Sequence, residues 1–176
     1  MEFDRDKFKR LMHYVIARAG KRDRFGATKL YKVLWFAEAR QYLLTGKPIA
    51  GAEYIREKFG PVPRLGKVIR DELTKDGAIR QIQVKVGEEW NFQSLRAPDM
   101  TGFTEDELKT VDYWIDHIDK DHTAATISEQ SHDYAWEIAQ MREPLPLFAQ
   151  LATRMREPTQ EELERARKVA ADLKLP

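Results

Sequence analysis

No cysteine occurs among the 176 residues. That excludes disulfides, thiol nucleophiles and thiolate metal sites, and it fits a reducing compartment. A surplus of one charge is also missing, because 30 Lys and Arg nearly cancel 29 Asp and Glu. No net field therefore draws the chain to nucleic acid, a membrane or an acidic partner. No stretch approaches the roughly 20 apolar residues of a membrane span. The opening, MEFDRDKFKRLMHYVI, is charged from its second residue and forms no signal-peptide core. A cytoplasmic protein that does not engage a membrane is the expectation. Nucleophile-elbow, phosphate-loop and dinucleotide glycine patterns are absent as well, so neither a cofactor nor a catalytic centre is expected.

What is present suits a folded domain. Hydrophobic residues make up 42% and aromatics 10%, beside a high charged fraction of 34%. Mean hydropathy is -0.62. The length fits one domain over residues 1–176.

A first helix is expected after Asp4, with Phe3 and Phe8 as a hydrophobic staple. Phe8, Leu11, Met12, Val15, Ile16 and Ala19 give it one apolar stripe, and Gly20 a stop. The next segment, TKLYKVLWFAEARQYLL, is apolar on most of its circumference and reads as a central helix. Lys29 and Lys32 would form its narrow polar side, and Gly46 with Pro48 its end. A short strand is expected over residues 54–57. The prolines of EKFGPVPRLGKVI would lead from it into a third helix over residues 63–75, with Pro63 in its first turn. Leu65, Val68, Ile69 and Leu73 would point inward there, and Arg64, Lys67 and Arg70 outward.

The alternation in IQVKV and then WNF predicts one β-hairpin over residues 81–93. A three-residue loop would set Val86 opposite Trp90 and Val84 opposite Phe92. Thr104 with Glu107 reads as a capping box, and Phe103 with Leu108 as a staple, for a helix buried through Val111, Ile115 and Ile118. Thr123 or Thr126 would cap a shorter helix. Thr159 with Glu162 would open a last one over residues 160–174. The fold class is mainly α (α+β): a helical bundle around a central apolar helix with one small hairpin.

Two clusters carry candidate chemistry. DHIDKDH supplies Asp116, His117, Asp119, Asp121 and His122. Two histidines five apart on a helix point in different directions, however, and no ligand spacing supports a metal. Ser131, His132 and Asp133 are adjacent in sequence, which does not make a triad. A helix bearing Arg64, Lys67 and Arg70 followed by a hairpin has the element order of a winged-helix DNA binder. Asp71, Glu72, Glu88 and Glu89 oppose that use.

Three blocks stand in order along the chain. The first is a Lys-Leu-x-Lys-apolar-Leu-aromatic-aromatic helix at Lys29, Leu30, Lys32, Val33, Leu34, Trp35 and Phe36. The second is an aromatic-Gly-Pro-Val step at Phe59, Gly60, Pro61 and Val62, and the third is Ser131-His132 followed by Trp136. They span residues 28–139, and together they resemble the Panacea-domain, SocA-like antitoxin family. Ser128-Glu129-Gln130 and Tyr134-Ala135 depart from the family's usual residues around the third. The resemblance implies a phage-associated antitoxin that neutralises a cognate protein toxin by direct contact. The partner surface is expected around Phe59, Arg64, Lys67 and Arg70, since rigid loops with aromatic and Arg side chains favour interfaces. A regulator binding operator DNA through residues 63–75 and 81–93 is the alternative.

Overall fold

A computed structural model of the chain describes residues 2–19, 25–83 and 90–148. Helix α1, Arg5–Ala19, starts as its sequence dictates: the Asp4 carboxylate accepts from the Lys7 amide at 2.8 Å. The Phe3 and Phe8 rings meet edge-on at 5.9 Å. Its stripe from Phe8 to Ala19 is buried. Helix α2, Ala27–Thr45, is buried without a break from Lys29 to Ala39 and ends at Gly46, whose φ of 74° needs no Cβ penalty. Trp35 packs edge-on to Tyr54 at 4.9 Å, and Phe36 stacks on Trp114 at 4.6 Å.

The polar strip of α2 differs from expectation. Lys29 and Lys32 are only 5% and 1% exposed, because other elements cover that side as well. Glu38, also fully buried, accepts from the amides of Ala50, Gly51 and Ala52 at 3.0, 3.3 and 3.4 Å. It thereby clamps the segment leading to the sheet. Burial raises the Glu38 carboxyl above its ordinary range, and those amides pull it back in part.

Strand β1, Tyr54–Glu57, lies where expected. The following prolines do not lead into a helix but form β2, Gly60–Pro63, with Pro63 paired to Tyr54. Proline is tolerated there because β2 is an edge strand and needs no amide on its open side. A further strand missed in the sequence, β5 (Pro144–Leu145), covers the other side of β1.

Helix α3 therefore starts later, at Gly66–Lys75. Its buried face is Gly66, Ile69, Arg70 and Leu73, so Val68 is 49% exposed and Arg70 is buried. Both are the reverse of the expectation.

The hairpin is β3, Ile79–Gln83, with β4, Trp90–Ser94. Its register pairs Gln81 with Phe92 and Gln83 with Trp90, three residues away from the pairing expected. An odd shift turns the strand over, so Ile79 is inward with Phe92, and Ile82 is 43% exposed. Val84 and Val86 lie outside the described residues.

Helix α4, Glu105–Asp121, has the expected capping box with both reciprocal bonds. The Glu107 carboxylate also takes Lys7 Nζ at 2.8 Å. Thr104→Ala is expected to cost about 1 kcal/mol by freeing the Glu107 amide. A melting point about 2–4 °C lower with an unchanged far-UV spectrum would register it. Helices α5, Ala124–Gln130, and α6, Tyr134–Ile138, follow, capped by Thr123 and Asp133. The helix expected over residues 160–174 lies outside the described residues. The architecture is mainly α with small antiparallel sheets, built around α2, and no described helix is long and apolar enough to cross a membrane.

Candidate functional site

The turn between β1 and β2 gathers all three sequence blocks. Glu57 pairs with Gly60, so Lys58 and Phe59 form a two-residue tip, and Phe59 is 61% exposed. Behind the tip, Lys32 of α2 donates to the Pro61 carbonyl at 3.0 Å. Gly60, at φ 93°, packs so closely that a Cβ would lie 2.5 Å from Lys32 Nζ and well inside contact with Ser131 Oγ. Sequence-distant residues thus meet because α2, the turn and the α5–α6 junction share one corner.

Trp136 locks the same corner from α6. Its indole N–H donates to the Glu57 carbonyl at 3.0 Å, and its own carbonyl accepts from Arg56 Nε at 2.8 Å. Its ring lies 3.6 Å from that of His132, near-parallel, and 4.3 Å from the Arg56 guanidinium carbon. Two groups cannot occupy one face of the ring at those distances, so the indole is sandwiched between them. Trp136 is accordingly half-buried, packed against the edge of the core. Arg56 escaped the sequence reading because no local pattern marks it. Only the strand pairing and α6 bring it to Trp136.

The corner's electrostatics follow from burial. Lys32 is buried with no carboxylate paired to it among the described residues, and desolvation pushes its amine down to about 7. His132 is lowered by burial first and then by the Lys32 and Arg56 charges. Ser131 donates to the Ser128 carbonyl at 2.7 Å, and the Asp133 carboxylate accepts from the Trp136 amide at 2.8 Å. Ser131, His132 and Asp133 therefore serve helix ends and are not joined as a triad.

The four residues expected at a partner surface part company. Phe59 borders an open groove of about 330 Å³ with Ala27, Tyr31, Lys32, Lys58 and Val62. Arg64 borders a separate hollow of about 130 Å³ with Phe3, Phe8 and Pro63, and it is paired with Glu53 through Nε at 2.5 Å. Lys67 is exposed and paired with Asp71 at 3.0 Å. Arg70 lies beneath the hairpin, 5.3 Å over the Phe92 ring. A helix meant for phosphates would keep such cations free; here acids or packing already engage them.

In the cluster at the C-terminal end of α4, the histidines do not point apart. His122 leaves the helix in extended geometry, and its ring comes within 5.1 Å of His117. His117 bonds Asp121 at 2.8 Å, and Lys29 lies 3.9 Å from Asp119. Among the described residues, no group of three or more His, Asp or Glu is arranged to hold a metal ion.

No curated protein and no solved structure matches the chain. The family model described as "Antitoxin SocA-like, Panacea domain" matches residues 30–137, more than half of the chain. That span contains Lys32, the Gly60-Pro61 turn, Ser131 and Trp136, the residues that meet at the corner. The chain belongs to the SocA-like antitoxin family with a Panacea domain.

Proposed function

We propose that the chain neutralises a cognate protein toxin by direct, non-enzymatic contact. The toxin would be the product of the neighbouring reading frame in a phage-associated pair. The observation that carries this reading is Phe59: a large aromatic side chain, 61% exposed, on a turn braced from behind by Lys32, Ser131 and Trp136. A rigid aromatic on a fixed turn costs little entropy to bury against a partner. Arg64 and Lys67, with side chains 44% and 78% exposed, offer further contacts outside the Phe59 groove, while Arg70 stays packed over Phe92. Arg64 and Lys67, each paired with an acid, and Arg70, packed over Phe92, offer no comparable support for DNA.

Co-expression with the neighbouring gene product tests the reading. Growth should be rescued and the two proteins should co-elute on gel filtration, and Phe59→Ala should weaken the complex by about tenfold or more. Persistent growth arrest without a complex would refute the proposal.

A further inference from the structure

The groove beside Phe59 holds charge that the fold leaves unanswered. Its walls are apolar, from Ala27, Tyr31, Phe59 and Val62. Lys32 contributes from below, and among the described residues no carboxylate lies within ion-pair distance of it. Among the described residues its amine donates to a single carbonyl, that of Pro61, although an ammonium carries three donors. Lys58 at the rim lies 5.3 Å over the Phe59 ring and is likewise without an acidic partner among the described residues. The carboxylate of Glu57, also bordering the groove, is turned to Arg142 at 3.7 Å.

A buried amine without a counter-charge destabilises the chain that carries it. Structural lysines avoid that position by reaching water, as their long stems allow. Lys32 does not, and the groove it borders opens to solvent at the point where Phe59 is presented. One amine at the rim, that of Lys58, and a second buried beneath the groove floor, that of Lys32 at 1% exposure, are complementary to a carboxylate carried next to an apolar side chain.

We infer that this groove receives an acidic side chain of the toxin, Asp or Glu with an apolar neighbour, which Lys32 and Lys58 pair while Phe59 and Val62 bury the neighbour. This deepens the antitoxin reading and rests on it. The acidic anchor supplies the charge that Lys32 lacks, and the apolar neighbour excludes water from the pair, which strengthens it. Specificity then depends on where the toxin carries the acid relative to its apolar residue.

The test uses the full chain and the product of the neighbouring gene, with affinity measured by calorimetry. Lys32→Met and Lys58→Met should each weaken binding, the first by about 30-fold or more as a desolvated partner. Lys109→Met, an exposed lysine of α4 paired with Glu105, should change it by less than about twofold. Melting curves establish that each variant is folded. Reversal of single acids on the toxin to Lys should locate one whose loss is reduced when Lys58→Glu is present. Binding by the wild-type chain that Lys32→Met and Lys58→Met leave within about twofold would overturn the acidic anchor and leave the antitoxin reading standing. No complex with the wild-type chain would overturn both.

Discussion

Gly60→Ala should cost the chain about 3 kcal/mol, read as a melting point lower by about 6–12 °C for a chain of this size. Two effects combine. The glycine sits at φ 93°, where an L side chain is strained by about 1 kcal/mol. The added Cβ also meets Lys32 Nζ and Ser131 Oγ, and neither yields freely. Lys32 would have to give up its bond to the Pro61 carbonyl, and Ser131 its bond to the Ser128 carbonyl, in a place without water to replace them. Gly46→Ala is the internal control. Its φ is 74°, but nothing lies within 4 Å of the added atom, so only the backbone strain of about 1 kcal/mol is expected. Urea unfolding of both variants separates the terms. Equal losses would mean that the corner opens easily and does not brace Phe59. Gly60→Ala should also weaken toxin neutralisation beyond what stability explains, because the tip it displaces carries the exposed aromatic.

Local chemistry was the legible part of this fold. The Asp4 cap, the Phe3–Phe8 staple and the Thr104–Glu107 box are set by residues within a few positions of each other. The central role of α2 followed from an apolar circumference. Decisions taken by distant partners were not legible. Pro63 suits a first helical turn and an edge strand equally well, and the pairing with Tyr54 decided it. Ile82 and Val84 alternate convincingly, yet burial of Ile79 and Phe92 against the core fixed a different register. Arg70 looked outward on a helix begun too early; starting at Gly66 puts it over Phe92. Of the candidate site, the three blocks were visible as motifs. Their convergence required α2, the β1–β2 turn and α6 to meet, and nothing near Arg56 in sequence announced its place on Trp136. Lys29 and Lys32 read as the narrow polar side of α2 because charge ordinarily means water. That inference failed at Lys32, where burial disfavours the charged amine.

Lys32→Met should make the protein more stable, by about 3 kcal/mol near pH 7. Burial brings the wild-type amine down to about 7 in the folded chain, against an ordinary value of 10.5. Between those limits the unfolded chain binds the extra proton, so wild-type stability rises as pH increases from about 7 to 10.5 and is lowest below 7. The full shift corresponds to roughly 4–5 kcal/mol of penalty. Methionine removes it and loses the bond to the Pro61 carbonyl, a cost of about 1 kcal/mol. The gain should shrink steadily toward pH 10, where the wild-type amine is neutral in the folded state though still mostly protonated in the unfolded one, so that only a small part of the penalty is left. Urea midpoints of the two proteins from pH 6 to 10 measure it, and their difference cancels the other lysines. A variant less stable than wild type at pH 7 would mean that the fold already compensates the ammonium, and the charge would then be free of the role assigned to it in the groove. A more stable variant that no longer holds the toxin would mean that the chain retains a destabilising amine because its partner answers it.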